Sequence, residues 1–237
     1  MLGAGTVTAQ PAAQTSTTTE PATDTLDGNG AAPSTDVRAT LPPGTTLVSV
    51  TEGDQTVTAL FEPGSRAEIE RQLAAYRLDR LLGLGLVVPV AEREFDGKRG
   101  IVSARWTRTV DEQARAAAQL SRRNWCARGS DYQLMYVFDA LVNNRGRTPN
   151  TMLYDRRTWQ FASAGHAKTF DRGRELPPYL ANAPKVLPPA LADALRRLDE
   201  PMLTTALGGQ LSKAQVRALL QRRDDLLNTW TDGASSP

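Results

Sequence analysis

The order of hairpin and helix signals most constrains what this chain can fold into. Two pairs of strand-rich stretches each flank a short turn signal. The first turn is Glu52-Gly53-Asp54, and the second is Asp96-Gly97, a dipeptide typical of tight hairpins. Helical signals dominate the rest of the sequence. The strand-rich stretches cover 46–50, 55–61, 87–95 and 100–106.

Helical periodicity is bounded by recognisable caps. Ser65 and Glu68 have the spacing of a capping box, and Gly83 is a typical residue for the end of that helix. The same box pattern recurs at Ser212 and Gln215. Further helices are predicted over 112–120, 132–142, 188–198 and 212–230.

A change in composition near residue 44 indicates where folding begins. Residues 1–44 are rich in Thr, Ala, Pro, Ser and Gly and have almost no large apolar side chains. Such a segment cannot bury enough surface to offset the entropy of ordering, so we expect a disordered tether. The remainder is predicted to have an α+β fold, with a β-rich unit over 45–110 and a helical unit over 111–237.

The tether contains small residues at the spacing of a signal-peptidase site, Val7-Thr8-Ala9-Gln10. The basic and long apolar regions that normally precede such a site are not part of this sequence. Two alternatives stay open. Either the tether is the remnant of an export signal and the protein is periplasmic, or the spacing is a coincidence and the protein is cytoplasmic.

Composition excludes several classes of function. The 28 basic and 26 acidic residues give a net charge of +2 without a long basic run, so no nucleic-acid partner is predicted. A lone cysteine, Cys126, cannot form an intrachain disulfide. With His166 it supplies two soft ligands, whereas zinc takes about four, so no metal site is predicted. No apolar run approaches the ~18 residues of a membrane span.

The stretch from Phe138 to Phe170 resembles a kinase catalytic loop followed by a metal-binding loop, which together form a phosphoryl-transfer site. Such a site needs a carboxylate that orients a hydroxyl, a carboxylate and an amide that hold magnesium, and a lysine on the phosphates. The stretch begins Phe-Asp-Ala-Leu-Val-Asn-Asn-Arg-Gly-Arg and ends Gly-His-Ala-Lys-Thr-Phe. The residues left to line a cleft are Asn144, Arg147, Asn150 and His166.

These motifs resemble a bacterial family with a protein-kinase-like fold, related to phosphatidylinositol 3/4-kinases, HipA-type toxins and secretory-pathway kinases. Matching positions include Asn144, Arg147, Leu153, His166 and Phe170. The resemblance spans about residues 45–230. It implies a bilobal fold with a small β-rich N-lobe and a mostly helical C-lobe.

Five positions that carry chemistry in that family are substituted in this chain. The resemblance places Glu62 where the phosphate-contacting lysine stands and Gln72 where the helix glutamate stands. It also places Gly146 at the catalytic aspartate, Thr151 at the magnesium-binding asparagine and Gly165 at the metal-binding aspartate. A carboxylate and a phosphate charge ~4 Å apart repel by about 4 kcal/mol at an effective dielectric of ~20. The expected consequence is the loss of ATP and magnesium binding.

The sequence therefore predicts a non-catalytic pseudokinase that binds an unknown protein or small-molecule partner. One alternative is an active phosphotransferase in which Asp139, Asp155 or Asp171 has taken over a missing role. Another is an exported envelope protein that acts through surface contacts. Arg147 and His166 are interpreted as structural residues.

Overall fold

The computed structural model describes residues 6–9, 41, 44–52, 54–106, 108–120 and 129–232. Over these residues the chain has a mixed α+β fold with an antiparallel sheet and several helices. Cys126 lies outside the described residues. No helix in the described ranges is both long and apolar enough to cross a membrane.

A five-stranded antiparallel sheet forms the first half of the structure, in the order β1-β2-β3-β5-β4. The turn between β4 and β5 has positive φ at Asp96 (52°) and at Gly97 (67°), as a tight type I′ hairpin requires. Both predicted hairpins are present. The strands are β1 (Thr6–Ala9), β2 (Thr46–Glu52), β3 (Gln55–Pro63), β4 (Val90–Phe95) and β5 (Lys98–Ala104).

Strand β1 was not predicted. Thr6–Ala9 pairs antiparallel with β2, with Val7 opposite Val50 and Ala9 opposite Val48. The expectation of a disordered tether over 1–44 is therefore wrong for these four residues. Because threonine and valine favour extended backbone, the segment can pair with an existing strand even though it buries little surface by itself.

Helix α1 (Arg66–Leu82) connects the two hairpins and has the caps that the sequence predicted. The Ser65 amide donates to Glu68 Oε2 at 2.8 Å, and the Glu68 amide donates to Ser65 Oγ at 3.4 Å. Gly83 ends the helix in the left-handed conformation, with φ 69°. These caps fix the length of α1, whose buried face includes Ile69, Gln72 and Leu78.

The second half combines helices with a small three-stranded sheet in the order β6-β7-β8. Its strands are β6 (Thr109–Asp111), β7 (Met152–Asp155) and β8 (Phe161–Ser163). Strands β9 (Val186–Leu187) and β10 (Thr231–Asp232) pair in parallel. The helices are α2 (Glu112–Ala117), α3 (Gly129–Val142), α4 (Pro189–Arg197), α5 (Glu200–Leu207) and α6 (Lys213–Thr229).

Helix α5 and the short strands were not predicted. The sequence does contain a start signal for α5, namely Asp199 at a typical N-cap position and Pro201 in the first turn. In the structure the Asp199 side chain accepts from the Met202 amide at 2.7 Å. The strands of the small sheet have at most four residues each, which is too short for a period-two pattern to identify.

The main hydrophobic core lies where α1, α3, α5 and α6 meet. It includes Leu78 of α1, Phe138 of α3, Leu203 of α5 and Leu219 of α6, all of them at most 1% exposed. A smaller cluster joins α1 and the large sheet to the small sheet, through Ile69, Ile101 and Leu153 among others. The segments that follow α3 and β8 are therefore held between the two sheets and the helices.

Replacing the N-cap of α1, Ser65→Ala, should lower the free energy of unfolding by about 1 kcal/mol, because the Glu68 amide loses its acceptor. Urea denaturation followed by circular dichroism measures the change. Thr205→Ala, an exposed change on α5, is the control and should cost less than about 0.5 kcal/mol. Equal effects of the two changes would contradict the assigned cap.

Candidate functional site

A buried ion pair between Asp139 and Arg147 organises the candidate site. Asp139 lies on α3 and Arg147 on the loop that follows, and their side chains are 0% and 3% exposed. Arg147 Nε donates to Asp139 Oδ2 at 2.7 Å, and Nη2 donates to Oδ1 at 2.8 Å. This two-point geometry is the strongest form of such a pair and fixes the loop against α3.

The remaining donors of Arg147 connect three segments. Nη1 donates to the Thr151 carbonyl at 3.1 Å and to the Ala164 carbonyl at 2.8 Å, and Nη2 donates to Ser163 Oγ at 2.6 Å. One guanidinium thus holds the loop after α3, the turn before β7 and the segment after β8. This geometry agrees with the structural role expected for Arg147.

The Asp139 carboxylate has no capacity left for a ligand. Oδ1 also accepts from Asn144 Nδ2 at 3.0 Å, and Oδ2 accepts from the Tyr179 hydroxyl at 2.5 Å. Together with the two Arg147 donors, these bonds use about all four acceptor positions of a carboxylate. Burial by itself would raise the pKa of Asp139, but the adjacent Arg147 guanidinium holds that pKa below its usual value. Asp139 is therefore ionised and saturated.

The other two candidate carboxylates cap turns elsewhere. Asp155 accepts from the Arg157 amide and from Thr158 Oγ1, both at 2.9 Å. Asp171 is exposed and accepts from the Arg172 amide at 2.7 Å. Across the described residues, no group of three or more His, Cys, Asp or Glu side chains could hold a metal ion. The three aspartates do not converge on one site.

His166 is buried beside the same ion pair, with 2% of its surface exposed. Its Nε2 lies 3.3 Å from Arg147 Nη2 and 3.4 Å from Ser163 Oγ. Burial, reinforced by the Arg147 charge, lowers the pKa of His166 to about 3. The imidazole is neutral at pH 7, and Nε2 must be the unprotonated nitrogen if it accepts from Arg147. These contacts agree with a structural histidine.

Three of the five substituted positions line one small cavity. Glu62 comes from β3, Gln72 from α1 and Gly165 from the segment after β8. The cavity measures about 10 Å³, which is room for about one water molecule. Its remaining lining residues are Val87, Val88, Val90, Ser103, Arg105, Ala164 and His166.

Glu62 interacts with two other residues that line this cavity, Gln72 and Arg105. Burial raises its pKa, whereas the Arg105 charge and a hydrogen bond from Gln72 oppose that rise. Arg105 follows β5, and burial lowers the pKa of its guanidinium to about 10 even though Glu62 attracts the charge. In the family that the sequence resembles, the residue at the Glu62 position on β3 is a lysine that contacts phosphate. Here β3 supplies the carboxylate of Glu62, and the positive charge comes from Arg105, just after β5.

The family resemblance assigns magnesium binding to Thr151 and Gly165. In the structure the Thr151 side chain occupies the space that a side chain at position 165 would need. Gly165 has φ 72°, and a Cβ atom placed on it would lie 2.4 Å from Thr151 Cγ2. Gly146 lies close by, since a Cβ there would be 3.7 Å from the Gly165 carbonyl oxygen. The Gly146 amide donates to Asn144 Oδ1 at 2.9 Å. Asn150 is directed elsewhere, because its Nδ2 donates to Asp111 Oδ2 at 3.4 Å.

Sequence reasoning missed Arg105 and Tyr179. Arg105 was included in a predicted strand, and nothing in a strand pattern indicates a guanidinium turned into the interior. Tyr179 lies in a short 3₁₀ turn (Pro178–Leu180), 40 positions from its partner Asp139. Consecutive prolines at 177 and 178 indicated a turn but not its contact.

Comparison with known proteins finds similarity among solved structures. No protein-family model matches the chain, and no curated protein matches it. The structure is similar to the crystal structure of the Helicobacter pylori proinflammatory kinase CtkA, with a TM-score of 0.49 and 13% sequence identity. The alignment covers 80% of this chain and 89% of that chain. A likeness of this size does not assign an activity.

The low pKa of His166 predicts a loss of stability in mild acid. The folded state keeps the ring neutral down to about pH 3, whereas the unfolded chain binds a proton below about pH 6.5. The contribution is therefore complete above pH 6.5 and lost as the pH falls towards 3. From pH 7 to pH 5 the free energy of unfolding should decrease by about 2 kcal/mol.

Urea titrations at pH 7 and pH 5 measure this change. His166 is the single histidine of the sequence, so His166→Gln is a direct control, and the difference between the two chains isolates the imidazole from titrating carboxyl groups. The same pH dependence in both chains would show that His166 is accessible to protons in the folded state.

Proposed function

We propose that this chain is a non-catalytic, kinase-like binding domain, a pseudokinase with a small β-rich lobe and a helical lobe. The observation that carries the proposal is the cavity of about 10 Å³ lined by Glu62, Gln72, Gly165 and His166. Motif resemblance assigns those residues, from three separate parts of the sequence, to one phosphoryl-transfer site. Their meeting around one cavity supports the kinase-like assignment, and its size and chemistry support the loss of catalysis.

Charge opposes nucleotide binding in this cavity. The β3 position that would contact phosphates carries Glu62, and its neighbour on α1 is the uncharged Gln72. The cation that lines the same cavity is Arg105, a half-buried residue whose charge Glu62 attracts. A polyphosphate would therefore have to displace an internal attraction and approach a carboxylate, both of which cost free energy.

The positions that the resemblance assigns to metal binding, Thr151 and Gly165, offer magnesium no carboxylate. A hard divalent cation prefers carboxylate oxygens, yet Gly146 and Gly165 have no side chain and Asp139 is saturated by Arg147, Asn144 and Tyr179. Without a metal and a positioned base, the electrostatic stabilisation that dominates phosphoryl transfer is lost. We therefore assign the remaining framework a binding or regulatory role with a protein or small-molecule partner.

The decisive experiment is a thermal-shift titration with ATP. Millimolar ATP with magnesium should leave the melting temperature of the full chain unchanged relative to magnesium alone, since a ligand raises it only by binding the native state. ADP with magnesium and ATP with EDTA serve as controls. A saturable, magnesium-dependent increase would overturn the proposal in favour of a phosphotransferase with displaced catalytic groups.

Restoring a carboxylate at the metal position should not restore the site. Gly165→Asp forces a side chain into a left-handed backbone and against Thr151, so the free energy of unfolding should decrease by about 1–3 kcal/mol. Gly173→Asp is the matched control, because a Cβ there meets nothing closer than 3.7 Å. Urea denaturation compares the two, and equal stability of both variants would show that Thr151 does not fill the position.

A further inference from the structure

A second cavity lies between the loop that follows α1, the end of β5 and the start of β8. Its volume is about 310 Å³, at the lower end of the range of roughly 300–1,000 Å³ that is usual for small-molecule sites. Glu62, Gln72 and Gly165 do not line it, so it is separate from the small cavity around Glu62. Its walls are mainly apolar and include Val87, Val88, Pro89, Trp106, Phe161 and Ala162.

Two aromatic side chains give this cavity a wall that suits a planar ligand. Phe161 is 6% exposed, and its ring centroid lies 5.6 Å from that of Tyr132 and 5.5 Å from that of Tyr154. Trp106 is half-buried, and its carbonyl accepts from the Thr109 amide at 3.2 Å and from Thr109 Oγ1 at 2.8 Å. Because these contacts hold both residues in place, a ring that enters the cavity meets a prepared aromatic surface.

The charges around the cavity balance one another. Arg80 is paired with the buried carboxylate of Asp79, to which its Nε donates at 2.9 Å and its Nη2 at 2.5 Å. The charge of Arg105 is attracted by Glu62 in the adjoining small cavity. The lining therefore has no surplus of positive charge, and an anion would lose its hydration without a net attraction in return. This balance favours a neutral ligand.

Arg105 nevertheless has donors that a ligand can reach. Its Nη1 donates to the Ala104 carbonyl at 3.2 Å. Within the described part of the chain, its Nε and Nη2 have no hydrogen-bond partner, and neither atom is sealed from solvent. At the rim, the exposed Gln160 adds a side-chain amide, which can both donate and accept. The cavity thus combines an apolar, aromatic wall with a few polar groups, as small-molecule sites usually do.

We propose that this cavity binds a neutral aromatic compound of roughly ten heavy atoms that carries a carbonyl oxygen. The ring packs between Trp106 and Phe161, and the carbonyl oxygen accepts from the guanidinium of Arg105. The proposal does not rest on the proposed function, since a ligand can occupy this cavity whether or not the chain binds ATP.

Titration of the full chain with indole-3-carboxamide tests the proposal. A saturable rise in melting temperature is expected, with heat of binding in isothermal calorimetry, because the ligand binds the native state. The analogue 3-methylindole has the same ring without the carbonyl and should bind about tenfold more weakly. Indole-3-carboxylate should also bind more weakly than the amide, because its charge must be desolvated. No saturable response to the amide, or equal or tighter binding of either analogue, would overturn the proposal.

Three variants locate the binding. Ala104→Leu adds bulk to the cavity wall and should weaken binding of the amide by about tenfold or more. Ala118→Leu is the matched control, a half-buried alanine at the end of α2 and outside the cavity, and should leave binding unchanged. Equal affinities in these two variants would place the ligand elsewhere and contradict the proposal.

Arg105→Lys tests the guanidinium. It keeps the charge near Glu62 but loses the planar fork of donors, so binding of the amide should weaken by roughly five- to tenfold. Binding of 3-methylindole, which has no carbonyl, should stay the same. The melting temperature without ligand shows that each variant is folded. An unchanged preference for the amide over 3-methylindole would show that Arg105 does not hold the carbonyl.

Discussion

The ion pair between Asp139 and Arg147 is the interaction on which the rest of this structure depends. It is fully buried, it has two parallel hydrogen bonds, and each partner is satisfied by further contacts. Removal of one partner would leave an uncompensated charge in the interior, which typically costs several kcal/mol. The loop after α3, the turn before β7 and the segment after β8 therefore keep their positions although none of them has long regular structure.

The same pair also explains how the segments around it are held in place. In this chain the order is internal, because Arg147 reaches the Ala164 carbonyl and Ser163 while Tyr179 donates to Asp139. On the sheet side, Glu62 and Arg105 attract each other by charge. Hydrogen bonds between protein groups thus hold these segments together.

Elements with local signals could be predicted, and elements defined by long-range contacts could not. Caps such as Ser65 with Glu68, and the Asp96-Gly97 turn, are determined by neighbouring residues, and both are present in the structure. The family resemblance also implied that Glu62, Gln72 and Gly165 would lie near one another, and they line one cavity. The size of that cavity could not be predicted, because it depends on how β3, α1 and the segment after β8 pack together.

Arg105 and Arg222 illustrate the remaining gap. Each is one arginine among many in the sequence, and burial of its guanidinium depends on packing between distant segments. Arg222, for example, contacts the Leu141 carbonyl 81 positions away. No periodicity distinguishes such a residue from an exposed arginine on the polar face of a helix.

Strand β1 overlaps a segment for which the sequence also suggests cleavage. Its four residues cover the outer edge of β2, whose amide and carbonyl groups would otherwise face the surroundings. They overlap the stretch Val7-Thr8-Ala9-Gln10, which has the spacing of a signal-peptidase site. Cleavage after Ala9 would remove the strand and leave an unpaired edge that another extended chain could occupy. The same four residues cannot both be cleaved off and stay paired with β2.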